Sequence, residues 1–507
     1  MPLIDSVVAR AAFAAPECIA VREWESGRSF TYAQLDSGVS SFAAWAQTNG
    51  VAVGDAIGIH LPNCVEFFIA QFGSSRAGAV ATYCNYRLSP TEVTRQLRLV
   101  GARVLVTTQE KAEQLRELPE MSGIRVVLRD GAPPLGLSLD DILASSGRPT
   151  EVLGREDEDA IARFTSGSTG LPKGVLVSHR AWLIRAVTMQ AEHLQIAPGA
   201  NTLTLGSPLS HAAGLSVIPT FLRLGTVIVM ENFQIDQVAP ILAAQPIYLL
   251  KMVPTLMHTL LEHPGAREGL RTSGVARLFY GGSPARPEVV DAMLDLLPNT
   301  EITQSYGSHE GGSITYLDGA SHRDPVLRQS AGRPFLSAAV RIKKDQPGDA
   351  IGEIEVLAPW LPHARLTETG REDLRGKWAS TGDLGELKDG FLFLRDRMGD
   401  VIISGGFNVY PLELENVMNI HPQVLSSAVV SAPDDKWGER VIAFVVPRDA
   451  SQFSDEALRA HCRERLAGYK VPKEFRVISE IPMNATGKLD RRKLSDPMWA
   501  GRSRRIN

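Results

Sequence analysis

Residues 165–174 read TSGSTGLPKG. Glycine permits positive φ and lets backbone N–H groups approach an anion closely. The hydroxyls of Thr165, Ser166, Ser168 and Thr169 add donors, Gly167 and Gly170 add backbone freedom, and Lys173 adds a mobile positive charge. Together they suit a phosphate cradle. It is not a Walker A loop, which needs Gly-Lys-Ser/Thr, because Pro172 precedes Lys173 and Gly174 follows it. The bland alternative for such a run is a flexible linker. A linker has no need of Pro-Lys and rarely sits between β-branched segments, so the cradle is favoured. These residues alone leave the nucleotide chemistry open.

Such a loop needs rigid supports, and the apolar RF before it and VLVSH after it predict a strand–loop–strand setting. Other short runs (DAIGIHL, ARVLVTT, GIRVVL, GTVIVM, PIYLLKMV and VARLFYGG) are apolar on nearly every residue. That is the pattern of strands covered on both faces in a helix-flanked sheet. GEIEVL and GFLFLRDR carry charges and read as half-exposed or edge strands. Residues 131–159 read as a surface excursion. After DRMGD (396–400) a compact tail begins, with DVIISGGFNVYP, a short helix from Leu412, strands AVVSAP and VIAFVVP, and a helix from Ser454. In that last helix Leu458, Cys462 and Leu466 recur at i, i+4, i+8 as one apolar stripe, with Ser454 as N-cap and Asp455 and Glu456 in the first turn.

The totals bound the answer. The chain has 507 residues, enough for two or three domains. Its formal charge is −4, so no global basic field points to nucleic acid or an anionic membrane. Its 4 cysteines form no CxxC pair and suit a reducing compartment. No apolar run approaches the roughly 20 residues of a membrane span. The N-terminus is poor as a secretory signal, the C-terminal SRRIN is no peroxisomal address, and the chain reads as cytoplasmic.

With those bounds set, FTSGSTGLPKGV resembles the phosphate-loop signature of the adenylate-forming superfamily, which contains acyl-CoA synthetases, peptide-synthetase adenylation domains and luciferases. Further signatures follow in that family's order across nearly the whole chain. FTYAQL and GDAIGIHLPNCVEF resemble its N-terminal motifs, PLSHAAGL (208–215) its acyl-site motif and YGGSP (280–284) its adenine-side loop. QSYGSHE (304–310) is similar to its Tyr-Gly-x-Thr-Glu motif, and STGD (380–383) to its ribose-binding turn. DRMGDVIISGGFNVYPLELE resembles its hinge region, and PMNATGKLDRRKL (482–494) the segment carrying its catalytic lysine. The look is closest to stand-alone bacterial acyl-CoA ligases.

The resemblance implies an α/β fold. A large multi-sheet N-terminal domain (1–397) would bind ATP and the acyl group. A hinge (398–400) and a small mobile α+β C-terminal domain (401–507) would follow. The implied reaction is carboxylate + ATP → acyl-AMP + pyrophosphate, followed by attack of a nucleophile on the adenylate.

The family's site residues carry over by position. Lys488 would bridge the carboxylate and the α-phosphate, where a compact cation neutralises developing charge. Glu310, with Thr165, would hold Mg²⁺. Thr165, Ser166, Gly167, Ser168, Thr169, Gly170 and Lys173 would cradle phosphates. Gly281, Gly282, Ser283, Ser305, Tyr306, Gly307, Ser308 and His309 would meet the nucleotide. Asp383 would accept from the ribose hydroxyls, and Arg397 would contact ribose and phosphate. His211 would stand at the mouth of an acyl pocket lined by Leu215, Val253, Tyr280, Gly281 and Ser305. Gly405, Gly406 and Phe407 resemble the pantetheine tunnel of CoA ligases. The basic tail of Arg491, Arg492, Lys493, Arg502, Arg504 and Arg505 is a candidate for the CoA phosphates, with a solvated charge run as the default reading. ATP, Mg²⁺ and CoA are therefore the expected cofactor and co-substrates, and a small carboxylic acid the partner, with a homodimer as one assembly open to it.

Three positions depart from the family pattern. His309 stands where threonine is usual, Gly399 where the hinge commonly has Asp or Lys, and Ser210 where a bulky aromatic is frequent. Phe233 is followed by Gln234 rather than Asp, which argues against an amino acid as substrate. The leading function is thus an acyl-CoA ligase. An amide synthetase using an amine acceptor, with His211 or His309 as base, is the alternative. A non-catalytic or carrier-loading module is the reading from another class.

Overall fold

The structure is a computed structural model that describes residues 3–131, 133–145, 147–166, 172–283, 285–308, 311–344, 346, 348–404, 407–483 and 489–500, with the backbone alone at 165, 166 and 172. The described residues divide into two compact units. One comprises Met1–Val340 with Glu355–Thr381, the other Arg341–Ile354 with Gly382–Asn507.

The first unit is built on two nine-stranded sheets. The apolar runs of the sequence supply their central strands. One sheet aligns Ile19–Glu23, Thr226–Val229, Asn201–Thr204, Leu249–Met252, Arg277–Gly281 and Glu301–Ser308 in parallel. The other aligns Asp159–Ser166, Val80–Tyr83, Ala56–His60, Ala102–Thr107 and Arg125–Leu128 in parallel. Helices cover their faces, which accounts for the mostly apolar residues of the central strands. One core joins the two sheets: Val21, Val227 and Val229 of the first and Ile57, Ile59 and Val104 of the second pack with the helices Tyr32–Thr48 and Val65–Ala77. The helix Tyr32–Thr48 starts in a capping box, Thr31 accepting from Gln34 N while the Gln34 side chain accepts from Thr31 N.

The second unit contains a four-stranded sheet completed by Ala379–Lys388 and Phe391–Arg397, and a five-stranded sheet. In the latter, Val424–Asp434 and Gly438–Pro447 form a long antiparallel pair. The helices Pro411–Asn419 and Asp455–Arg465 bury Leu414, Leu458 and Cys462 against Val429, Val441 and Ala443. The Ser454 hydroxyl accepts from Ala457 N as the N-cap. A large multi-sheet α/β unit with a smaller α+β unit is the fold class the motifs imply.

One expectation is corrected. Residues 131–159 are not all excursion: Leu137–Ser138 pairs as an edge strand, and Leu139–Ala144 is a helix capped by Ser138, with Leu139 and Ile142 buried. LDDIL places Leu139 and Ile142 at i, i+3, enough for one buried helical stripe. Among the described residues, no helix is long and apolar enough to cross a membrane.

Candidate active site

The phosphate loop is framed as its flanks predict. Asp159–Ser166 and Pro172–Ser178 pair antiparallel, down to Thr165↔Lys173 and Ser166↔Pro172. Gly167, Ser168, Thr169 and Gly170 lie outside the described residues, as do His309, Glu310, Gly405, Gly406 and Lys488.

On the acyl side, the segment before His211 is pinned by a residue the sequence reading did not single out. The Asn63 carboxamide donates to Ser207 O at 3.1 Å and Met230 O at 3.2 Å, and accepts from Leu209 N at 2.8 Å. The small residue Ser210 takes part as well, its hydroxyl 3.0 Å from His211 Nδ1. An aromatic could not make that contact. Leu215 packs against the cluster of Phe279, Phe335 and Trp360.

The adenine-side loop and the Tyr-Gly-Ser strand are brought together by sheet register, Gly281 opposite Ser305. A Cβ on Gly281 would lie 2.6 Å from Ser305 O, and one on Gly307 would lie 2.1 Å from Gly312 O. Glycine is therefore required at both positions by close backbone approach. Gly282 adopts φ 92°, a conformation side chains resist. Ser308 Oγ accepts from Gly311 N at 2.7 Å, closing the turn at the strand end.

Tyr280 is placed differently. Strand alternation turns its side chain away from the face of Gly281 and Ser305, into the core with Leu278 and Ile302. Its hydroxyl meets Gln304 Oε1 at 3.2 Å and His322 Nε2 at 3.0 Å, and burial pushes its pKa up. Only its backbone shares the face of Gly281. Val253 caps the helix Pro254–Glu262 two residues beyond Lys251, on the same strand face.

That face holds a second residue missed in the sequence. Lys251 is 2% exposed, and its amine donates to Ala212 O, next to His211. Burial pushes its pKa down to about 7. The available signal was a single charge inside the otherwise apolar PIYLLKMV.

In the second unit, Asp383 and Arg397 are cross-strand partners, and Arg397 Nε lies 3.4 Å from Asp383 Oδ1. Gly382, just before Asp383, has φ 72°. Phe407 is 55% exposed and stacks on Tyr469 with ring centroids 4.7 Å apart. Asp396 accepts from Arg397 N at 2.7 Å and Leu412 N at 2.9 Å, tying the strand before residues 398–400 to the helix after them. Burial raises its pKa to about 6. Gly399 has no positive φ, and a Cβ there would meet nothing within 4 Å.

Arg491 corrects the reading of the basic tail. It is not a solvated charge: its guanidinium grips the Glu415 carboxylate in bidentate fashion and reaches Asp400 Oδ2 at 3.1 Å. The carboxylates of Glu415 and Asp400 raise its pKa against the cost of burial. Spacing within the tail cannot show this, because Glu415 is 76 residues away.

Antiparallel strands flank residues 167–171, Gly281 and Gly307 sit at close backbone approaches, and the Ser210 hydroxyl lies against the His211 ring. Residues 8–361 match the AMP-binding enzyme family, and residues 413–488 match the AMP-binding enzyme C-terminal domain. The chain belongs to that family. It is 33% identical over 491 residues to a feruloyl-CoA synthase of Amycolatopsis sp, covering 95% of this chain and 96% of the relative. It is 31% identical over 497 residues to the fatty acid–[acyl-carrier-protein] ligase ScoC of Streptomyces coeruleorubidus, covering 95% and 94%. Among solved structures, the amide bond synthetase McbA from Marinactinospora thermotolerans superposes with TM-score 0.84 at 27% identity, covering 97% of this chain and 99% of that one.

Proposed function

We propose that this enzyme is an AMP-forming acid–thiol ligase that activates a carboxylic acid with ATP and passes the acyl group to CoA. A carboxylate oxygen attacks the α-phosphorus, pyrophosphate leaves, and an acyl-adenylate results. The CoA sulfur, after losing its proton, then attacks the acyl carbon and AMP leaves with the former carboxylate oxygen. The observation that carries this reading is the close backbone approach of Gly281 to Ser305 and of Gly307 to Gly312 in a chain whose two parts match the two family domains.

Lys173 and the loop hydroxyls hold the leaving phosphates, and Asp383 with Arg397 holds the ribose. Lys488 neutralises the charge that develops between carboxylate and α-phosphate. Glu310 and Thr165 are both hard oxygen donors, a set that fits Mg²⁺ carried by ATP phosphates. The ion would supply charge neutralisation on the leaving pyrophosphate. Residues 398–400 act as the hinge between domains 1–397 and 401–507, and Phe407 with Gly405 and Gly406 guides the pantetheine arm. The cysteines Cys18, Cys64, Cys84 and Cys462 are free thiols, which suits a reducing cytoplasm.

Likeness to an amide bond synthetase supports one competing reading, in which an amine replaces the thiol. The test is a panel of carboxylic acids scored by ATP-dependent pyrophosphate release, the best acid then being supplied with CoA or amines. Acyl-CoA as the product is expected, whereas product formed with amines alone overturns the thiol acceptor.

A further inference from the structure

Lys251 and Arg185 are two buried basic side chains, and among the described residues neither is paired with a carboxylate. Lys251 lies opposite Phe279 in register, its amine 4.6 Å from that ring's centroid. Two residues along the same strands, on the same face, are Val253 and Gly281. Lys251 therefore stands one layer below the expected acyl lining, about 7 Å down the strands.

Arg185, on the helix His179–Thr188, is 5% exposed and lies 3.9 Å from the Trp182 ring centroid. Among the described residues its guanidinium makes no hydrogen bond and no ion pair. The charged and titratable neighbours that act on it are Arg163 and the Tyr83 phenol, and the one that acts on Lys251 is Arg185 itself. Its Cδ is 3.9 Å from where a Cβ on Gly312 would stand, beside the Gly307 strand end.

Like charges buried together oppose folding unless an anion joins them. Cation–π contact with Trp182 and Phe279 offsets part of that cost but supplies no acceptor for the guanidinium N–H groups. Buried charges left without a counter-ion mark a candidate ligand site.

We propose that Lys251 and Arg185 bind a second carboxylate at the far end of the acyl substrate, so that the acid this enzyme activates is a dicarboxylic acid. The inference rests on the adenylate-forming reading above. Arg185 contributes a forked set of donors suited to carboxylate oxygens, and Lys251, already donating to Ala212 O, adds a second charge. One carboxylate is left at the strand ends for attack on ATP while the other is held below.

The test compares linear dicarboxylic acids from succinic to suberic, and phthalic acid, each with its own monomethyl ester and the matching monoacid. Pyrophosphate release is measured with wild type, Lys251→Met and Arg185→Met. Wild type is expected to favour a diacid over its monomethyl ester by about 10- to 100-fold in kcat/KM, the worth of a buried charge-assisted contact. Both variants should lose that preference while the KM for ATP stays the same. Equal use of diacid and ester by wild type overturns the proposal without needing a folded variant, and leaves the activity reading intact. A raised KM for ATP with the acid preference unchanged overturns it too, by assigning the cations to the nucleotide. No pyrophosphate with any acid overturns the activity reading itself.

Discussion

Arg397 Nε lies 3.4 Å from the Asp383 carboxylate across paired strands, with Arg397 66% and Asp383 16% exposed. An ion pair so open to water contributes little to stability, on the order of 0–1 kcal/mol. Its residues can therefore be tested for function without unfolding the chain. Asp383→Ala should leave the melting temperature nearly unchanged and raise the KM for ATP by about 10- to 100-fold, the loss of two hydroxyl contacts to a charged acceptor. Pyrophosphate release against ATP concentration reads it out.

Backbone approach makes the opposite prediction at the strand pair. Gly307→Ala forces a Cβ to 2.1 Å from Gly312 O, a backbone atom that cannot rotate away. It should destabilise by about 1–3 kcal/mol and abolish adenylation by displacing the strand end. Gly399→Ala, with open space and no positive φ, should stay within about 0.5 kcal/mol of wild type. A fall in kcat with stability unchanged would identify Gly399 as the hinge. Chemical denaturation alongside kinetics separates the two.

The grip of Arg491 on Glu415 is buried, so breaking it leaves an uncompensated charge. Arg491→Met should cost about 3–5 kcal/mol. The loss should fall on the second unit, and hydrogen exchange of the strands Val424–Asp434 and Gly438–Pro447 would show it first.

Acid should destabilise the first unit through buried neutral histidines. Burial lowers His60 and His179 to about 4 and His193 to about 3. In the unfolded chain each titrates near 6.5, so between roughly pH 6.5 and 4 the unfolded state binds more protons and stability rises with pH. Each group costs about 2 kcal/mol at pH 5, growing until the folded pKa is reached. The melting temperature is expected to be level near pH 7–8 and to fall steeply below pH 6. A midpoint unchanged from pH 7 to pH 5 would contradict the buried neutral state.

The motifs made the family legible, and period and caps made the stripe of Leu458 and Cys462 and the cap at Ser454 legible, because those signals are local. Arg491 read as a tail charge because its partner Glu415 lies on another helix. Lys251 hid inside an apolar strand, and Arg185 in an ordinary helical pattern, since neither sequence shows that the charged side chain is buried. Asn63 sits within a recognised motif, yet its three contacts reach segments more than a hundred residues away. Tyr280 read as pocket lining beside Gly281, but strand alternation turns its side chain to the other face, into the core.

The most direct test of the central claim follows one oxygen atom. The preferred acid is labelled with ¹⁸O in its carboxylate and converted with ATP and CoA, and AMP and pyrophosphate are weighed by mass spectrometry. An acyl-adenylate requires one labelled oxygen in the phosphate of each AMP and none in pyrophosphate. Unlabelled AMP, or label in pyrophosphate or inorganic phosphate, would contradict the account.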